Sequence, residues 1–308
     1  MSLPGAAPAT LDAFAWTAQG TSTDQVADAL RRLLVEAERT GPRHAASRTM
    51  NLVIAPGDAA TIHAGLAAGR DVHPARVVHL VEHNVYRLDA RVHVRLERTG
   101  DQHLPLLVED VTIHANRDRY DHARSLLSPI LARGVPTVAW LPGYDHGELG
   151  EALAATAHVT VFDSDADPNP GRALEFAYDT ALEHPCRDLA WMRTARWRAR
   201  ISAAFQSEQR LGTLAFLPSA EIVGAVHSPA TILLAAWIAA KADINVTLRA
   251  GADAASVEAV TVAGVAISPG AGLSCSLGLL GEALDTVYSP PQGYEDALRA
   301  LDRVAIVA

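Results

Sequence analysis

The sequence predicts an α/β fold with mixed α+β elements, arranged as two α/β halves that each contain a mixed sheet flanked by helices. Three observations support this class. Hydrophobic residues make up 49% of the 308 residues and charged residues 20%, a composition typical of globular domains. Amphipathic segments alternate with runs rich in β-branched residues, as in α/β proteins. The series helix, strand, meander and closing helix also occurs in each half of the chain.

Composition divides the chain into three segments. Residues 1–20 are rich in Ala, Pro and Gly and are predicted to be flexible. Residues 163–171 contain Asp, Asn, Pro and Gly, which are typical of turns, and this segment marks the predicted domain boundary. We therefore expect an N-terminal α/β domain over 21–168 and a C-terminal α/β domain over 169–308, which includes a Trp/Arg-rich helix.

In the first half, Ser22 or Thr23 is predicted to cap a helix that ends at Gly41, because Pro42 follows it. Runs rich in β-branched and alternating apolar residues predict strands. The predicted strands cover 47–55, 76–81, 87–96, 106–114, 135–141 and 158–162. Further helices are predicted through Ile62 and Leu66, over 121–133 and over 148–156.

In the second half, the segment 229–242 predicts a strongly apolar helix with proline in its first turn. Further helices are predicted at the start and at the end of this half, over 172–182 and over 293–304. The predicted strands cover 220–226, 244–250, 257–263, 272–280 and 286–289.

Charge and cysteine content argue against several classes of protein. The net charge of −9 and the pI near 5.8 argue against a nucleic-acid-binding protein, because phosphate binding requires a basic surface. The longest apolar run, 229–240, is shorter than the ~20 residues that cross a bilayer, and no signal peptide is expected. Cys186 and Cys275 are too few for a disulfide framework or zinc site, so a reduced, cytoplasmic setting is expected.

The string from His79 to His83 matches the H-x-x-E-H pattern of zinc metallopeptidases. That chemistry requires both histidines on one face of a helix. Here the string falls in a predicted strand, where positions four apart are separated by ~13 Å. We therefore predict no metal site and no cofactor.

The stretch from Asp188 to Arg198 concentrates unusual residues, since it holds two of the five tryptophans of the chain together with three arginines. From about Thr194 it is predicted to form a helix on which one apolar stripe recurs every four residues. The stripe consists of Trp197, Ile201 and Phe205, which are predicted to be core. Trp and Arg are also enriched among the residues that dominate interfaces, so a recognition surface is the alternative interpretation.

The sequence from Asp188 through Trp191 and Arg193 to Trp197 and Arg198 resembles the Asp-Leu-x-Trp-x-Arg … Trp-Arg signature of the glucose-6-phosphate dehydrogenase assembly protein family, OpcA. Three other stretches match elements of this family in the same order. They are His73-Pro74-Ala75-Arg76, the segment 161–168 and the segment 231–239. The resemblance extends from about residue 22, and it departs from the family pattern at Ala190 and Arg196.

The resemblance implies a non-enzymatic partner that assembles or activates glucose-6-phosphate dehydrogenase, the first enzyme of the oxidative pentose phosphate pathway. The family is linked to redox control in photosynthetic bacteria, although this chain has only two cysteines.

The residues predicted to bind the partner are Trp191, Arg193, Arg196 and Arg198. In one hypothesis, Arg193 and Arg198 face acidic groups of the partner and Trp191 or Trp197 anchors the contact. In the rival hypothesis, both arginines hold a carboxylate inside the chain and keep its domains connected. Two other functions stay open, a sensor that binds a sugar phosphate or nucleotide at the arginines, and a metal-dependent hydrolase assembled from scattered His and Asp residues.

Overall fold

The computed structural model describes residues 9–42, 48–57, 62, 75–98, 105–120, 122–142, 148–252, 257–268, 276–286, 289 and 291–307. The chain forms two compact units, Met1–Val161 and Phe162–Ala308. Each unit contains helices and a mixed sheet, which confirms the predicted mixed α/β class. The predicted boundary at 168 falls inside the second unit, because the turn-rich segment makes its contacts there.

The first unit is built on a mixed sheet with the strand order β1-β4-β5-β3-β2-β6-β7. Its strands are β1 (Ala9–Ala18), β2 (Met50–Ile54), β3 (Ala75–Glu82), β4 (Asp89–Arg98), β5 (Leu106–Ala115), β6 (Thr137–Leu141) and β7 (Val159–Phe162). β1, β4 and β5 pair antiparallel, whereas β5, β3, β2 and β6 pair in parallel. β2, β6 and β7 are buried along their whole length, as expected for strands covered on both faces.

β1 lies within the segment 1–20 that was predicted to be flexible, and it is a regular strand over Ala9–Ala18. It pairs with β4 along its length, from the pair of Ala9 with Arg98 to the pair of Ala18 with Ala90. Phe14 and Trp16 are half-buried, while Ala13, Ala15 and Thr17 beside them are exposed. The abundant alanine obscured this alternation in the sequence. Residues 1–8 lie outside the described part of the chain.

The helices of the first unit are α1 (Thr23–Thr40), α2 (Arg117–Tyr120), α3 (Ala123–Leu127) and α4 (Glu148–Ala154). α1 begins as predicted, because Ser22 and Gln25 form a capping box, and it ends at Gly41. The helix predicted over 121–133 is wrong in extent, since α3 ends two residues before Pro129, which cannot donate a backbone hydrogen bond. The helix predicted through Ile62 and Leu66 lies outside the described residues except for Ile62.

A buried ion pair joins neighbouring strands of the first unit. Arg76 and Glu109 are register partners on β3 and β5, and Arg76 Nε donates to Glu109 Oε2 at 2.7 Å. Arg48 Nε lies 2.6 Å from the other carboxylate oxygen of Glu109. The arginine of the His-Pro-x-Arg element therefore has a structural role in the sheet. His79 and Glu82 lie in the same strand, so the predicted strand at the H-x-x-E-H string is confirmed.

The second unit has a five-stranded mixed sheet with the order β12-β11-β9-β10-β13. Its strands are β9 (Ala220–Gly224), β10 (Val246–Ala250), β11 (Val257–Val262), β12 (Val265–Ile267) and β13 (Val304–Val307), and a short strand, β8 (Cys186–Asp188), precedes them. β10 pairs in parallel with β9 and β13, whereas β11 pairs antiparallel with β9 and β12.

The helices of the second unit are α5 (Pro170–Glu183), α6 (Leu189–Arg193), α7 (Ala195–Ala204), α8 (Glu208–Phe216), α9 (Pro229–Ala242), α10 (Ser276–Asp285) and α11 (Tyr294–Arg299). α9 has the predicted bounds and is buried from Pro229 to Ala239 except at Ala230. No helix among the described residues is long and apolar enough to cross a membrane.

Two predictions near the C-terminus are wrong. Residues 276–280, predicted as part of a strand, belong to α10, where Leu279, Leu280, Ala283 and Leu284 are buried at helical spacing. Thr286 and Ser289 are not in a strand either. The helix predicted over 293–304 ends at Arg299, because a 3₁₀ turn leads into β13, whose valine and isoleucine residues favour a strand beside β10.

Candidate functional site

Asp188 ends β8 and organises the Trp/Arg stretch of the second unit. Its Oδ1 accepts hydrogen bonds from the backbone N–H groups of Ala190 at 2.9 Å and Ser164 at 3.1 Å. Its Oδ2 accepts from the hydroxyls of Ser164 at 2.7 Å and Tyr294 at 3.0 Å. The carboxyl group thus caps α6 and joins it to the Ser164 turn and to α11.

The Asp188 carboxyl is buried, with only 1% of the residue exposed. Burial raises the pKa of Asp188 to about 7, the charge of Asp163 acts in the same direction, and the hydrogen bonds from Ser164 and Tyr294 oppose both. Burial also raises the pKa of the Tyr294 hydroxyl well above its ordinary value. Because the carboxyl is out of reach of a substrate, its position indicates a structural role.

Arg193 binds two carboxylates of its own unit. It holds both oxygens of Asp163, with Nη1 at 2.7 Å from Oδ1 and Nη2 against Oδ2, and Nη1 also lies 3.1 Å from Asp165 Oδ2. Burial acts to lower the pKa of Arg193, but the hydrogen bonds and charge of Asp163, together with the charge of Asp165, outweigh it and raise the pKa. This geometry supports the hypothesis that Arg193 holds a carboxylate within the chain.

Asp165 extends this contact to the long apolar helix. Its Oδ1 accepts hydrogen bonds from the Ser228 hydroxyl at 2.8 Å and from the backbone N–H of Ala230 at 3.2 Å. Both donors lie at the N-terminus of α9, where a carboxylate also interacts favourably with the helix dipole. The turn-rich segment from Asp163 to Asp165 therefore joins α6 to α9 within the second unit.

Trp191 lies in the interior between two contrasting neighbours. It is 2% exposed, and its ring centroid lies 5.5 Å from that of Tyr294. The guanidinium carbon of Arg198 lies 3.5 Å from the Trp191 ring centroid, within the range of a cation–π contact. Burial lowers the pKa of Arg198 to about 10, so the side chain stays charged at neutral pH.

The apolar stripe of α7 is buried as predicted over its first two members. Trp197 and Ile201 are each 6% exposed, whereas Phe205 is half-buried because the helix ends there. On a neighbouring face of the helix, Arg196 is exposed. Arg200 is exposed as well, and its Nη1 donates to the Ser268 carbonyl at 3.1 Å.

A cavity of about 490 Å³ lies beside Trp191 in the second unit, and we call it the Arg198 cavity. α6 and α7 contribute Trp191 and Arg198 to its lining, and α9 contributes Trp237 and Lys241. Arg187 from β8 also lines it. Trp191 and Trp237, which belong to two stretches that are far apart in the sequence, therefore meet at one cavity.

Comparison with protein families identifies both halves of the chain. Residues 67–179 match the family model described as the N-terminal domain of the glucose-6-phosphate dehydrogenase subunit. Residues 184–293 match the model described as the C-terminal domain of the same protein. The chain belongs to the OpcA family. These are glucose-6-phosphate dehydrogenase assembly proteins. A search of the curated proteins finds no match.

In this OpcA-family chain, the four residues predicted to bind a partner occupy different environments. Trp191, predicted as an anchor of the partner contact, is buried. Arg193 is occupied by Asp163 and Asp165. Arg198 is half-buried against Trp191, and only Arg196 is exposed. The four side chains therefore do not present one shared surface.

Sequence reasoning missed several residues of this OpcA-family site. Asp188 carried a usable signal, because aspartate directly before a helix is a typical N-cap. Tyr294 and Trp237 carried no such signal. Tyr294 in α11 lies about 100 positions after Trp191, and Trp237 in α9 lies 46 positions after it, so no local pattern links them to the stretch.

Neither cysteine chemistry nor a metal cluster is visible in the described part of this OpcA-family chain. Cys186 is buried, and burial raises the pKa of its thiol to about 12, so the reactive thiolate is disfavoured. Cys275 lies outside the described residues. Among the described residues, no group of three or more His, Cys, Asp or Glu side chains is placed to hold a metal ion.

Proposed function

We propose that this OpcA-family chain is a non-catalytic, cytoplasmic assembly factor that binds glucose-6-phosphate dehydrogenase and favours its active state. The observation that carries the proposal is the consecutive match of both family models, over 67–179 and 184–293. A binding protein shifts the equilibrium of its partner only through different affinities for the two states. The chain would therefore bind the active conformation or oligomer of the dehydrogenase more tightly than the inactive form.

Two exposed features of the second unit are the proposed contacts. Arg196 on α7 is exposed, and its side chain has no ion pair or hydrogen bond among the described residues. Phe216 at the end of α8 is 91% exposed, with Leu211 and Leu217 exposed by 51% and 49%. No side chain of α8 is buried. Exposed aromatic and arginine side chains of this kind are typical of the residues that dominate protein interfaces.

The other three predicted residues support the proposed interface from inside the chain. Arg193 holds the turn from Asp163 to Asp165 against α6, and Trp191 packs between Tyr294 and Arg198. Their loss would first lower the stability of the second unit. Variants at Arg196 and Phe216 are therefore the direct probes of partner binding, because neither side chain is part of the core.

The experiment combines co-purification with the dehydrogenase of the same organism and measurement of its activity and oligomeric state with and without the chain. The intact chain is expected to co-purify and raise the activity, and to have no dehydrogenase activity alone. Arg196→Glu and Phe216→Ser are expected to weaken activation at least tenfold in the concentration required, as for interface residues worth over ~1.4 kcal/mol.

Matched controls make the same chemical changes elsewhere. Arg39→Glu reverses an exposed charge on α1, and Leu182→Ser removes an apolar side chain that is 53% exposed on α5. Both controls are expected to activate like the intact chain. A dehydrogenase with the same activity and oligomeric state in the presence and absence of the chain would contradict the proposed function. Equal losses in the variants and controls would contradict the proposed contacts.

A further inference from the structure

We propose that the Arg198 cavity binds a small organic oxyanion, a hydroxylated molecule that carries a phosphate or carboxylate group. The cavity belongs to the second unit, and its size falls within the roughly 300–1,000 Å³ typical of small-molecule sites. This proposal is independent of the proposed dehydrogenase partner, because it concerns the chain alone.

The guanidinium of Arg198 has an unsatisfied donor. The Nε atom is buried and has no hydrogen-bond partner. The side chain makes no ion pair with any residue that the structure describes, and its guanidinium lies over the face of Trp191. A partly buried cation loses hydration without a compensating anion, which is unfavourable. An oxyanion that accepts two hydrogen bonds from the guanidinium fork would relieve this cost.

The charges around Arg198 favour an anion. Arg187 and Lys241 also line the cavity, and Glu282 is the one carboxylate in the described lining. Lys241 forms an ion pair with Asp296 at 2.8 Å, and Arg187 donates to the backbone carbonyls of Cys186 and Thr286. Both cations are therefore better compensated by the chain itself than Arg198 is. The described lining therefore carries three cationic groups and one anionic group, in a chain whose net charge is −9.

The rest of the lining suits an organic molecule with hydroxyl groups. Trp191 and Trp237 provide aromatic surface, on which sugar rings and other partly apolar groups pack favourably. The Ser202 and Thr286 side chains provide hydroxyl groups that both donate and accept hydrogen bonds. An inorganic ion would leave the aromatic surface of Trp191 and Trp237 unused, whereas a hydroxylated organic anion would use both the charged and the aromatic surface.

The test is isothermal titration of the full chain with three probes of similar size. Glucose 6-phosphate carries a phosphate, gluconate carries a carboxylate, and glucose carries neither. We expect saturable binding of at least one anionic probe and at least tenfold weaker binding of glucose. The affinity should fall as salt is added, because the interaction depends on charge. The stronger of the two anionic probes identifies the oxyanion.

Arg198→Met and Arg196→Met form a matched pair on α7, with the same loss of charge at a cavity position and at an exposed position. Arg198→Met is expected to bind the anionic probe at least about tenfold more weakly, as for loss of a charge-assisted hydrogen bond, while Arg196→Met binds like the intact chain. Melting curves of both variants verify that they are folded.

Three results would overturn the proposal. The first is that neither anion binds at concentrations up to about 10 mM, because a dissociation constant above this value is too weak for a specific binding site. The second is equal affinity for glucose and for the anionic probes. The third is unchanged binding by a folded Arg198→Met variant. Each of these results leaves activation of the dehydrogenase unaffected, so failure of this proposal and failure of the proposed function are distinguishable.

Discussion

The guanidinium of Arg198 lies over the indole of Trp191 at 3.5 Å from the ring centroid, and it has no carboxylate partner among the described residues. Arg193, in the preceding helix, instead forms ion pairs with Asp163 and Asp165. Two arginines five positions apart therefore differ in the way that their charge is compensated. This difference leads to distinct expectations for the same substitution at the two sites.

We expect Arg193→Met to lower the free energy of unfolding of the second unit by ~2–3 kcal/mol, because two partly buried carboxylates lose their cation. The same substitution at Arg198 is expected to change it by less than ~1 kcal/mol, since only a cation–π contact is lost. Urea unfolding of both variants measures the difference. Equal destabilisation would contradict the assignment of the ion pair to Arg193.

Trp191 is expected to contribute to folding rather than to direct contact with a partner. Trp191→Ala should lower the free energy of unfolding by ~3–5 kcal/mol, because it leaves a cavity beside Tyr294 and removes the support of Arg198. Trp191→Phe keeps an aromatic ring and should lower it by less. Activation of the dehydrogenase, expressed per folded molecule, should not change in Trp191→Phe. A normally folded Trp191→Phe protein that fails to activate would show that the indole itself contacts the partner.

The raised pKa of Asp188 predicts a pH dependence of stability. An unfolded aspartate titrates near ~4, whereas burial raises the pKa of Asp188 to about 7 in the folded chain. Between these values the folded state holds one more proton than the unfolded state. The contribution of Asp188 is therefore fully present below about pH 4 and is lost as the pH rises to about 7, by roughly 1.4 kcal/mol per pH unit.

Asp188→Asn isolates this contribution from those of other carboxyl groups. The amide oxygen retains the acceptor for the backbone N–H groups of Ser164 and Ala190, and the two amide hydrogens can be donated to the hydroxyls of Ser164 and Tyr294, whereas the protonated acid has one hydrogen to donate. The variant should gain stability relative to the intact chain as the pH rises from about 4 to about 7 and keep this gain at higher pH. Urea unfolding across this range measures the change. A stability difference that is independent of pH would contradict the raised pKa.

A side chain at Gly293 is expected to destabilise the second unit. The φ of +74° at Gly293 is unfavourable for alanine, and a Cβ would lie 3.1 Å from Trp237 Nε1. Gly264 has the same φ of +74° in the same unit, but its Cβ would lie 3.3 Å from a flexible Leu217 side chain. Gly264→Ala should cost ~1 kcal/mol of stability through backbone strain alone, and Gly293→Ala should cost more. Thermal unfolding compares the two variants. Equal losses of stability would mean that the Trp237 side chain moves away from the new Cβ without an energetic penalty.

Local signals predicted much of the fold. The bounds of α1 and α9 followed from Ser22, Gly41 and the proline at position 229, because caps and prolines act on the backbone within one turn. The errors fell where local signals were ambiguous. Glycine and serine around α10 concealed a helix, and the alanines of β1 concealed a strand that depends on pairing with β4.

The sequence by itself determined the mixed α/β class, through composition and periodicity, and the resemblance carried by the stretch from Asp188 to Arg198 indicated the family. Only the tertiary structure decided which of its side chains are buried, paired or free. Asp163 and Tyr294 reach the stretch from positions 25 residues before Asp188 and 96 residues after Arg198. Burial and charge compensation depend on such neighbours in space, which no local period encodes.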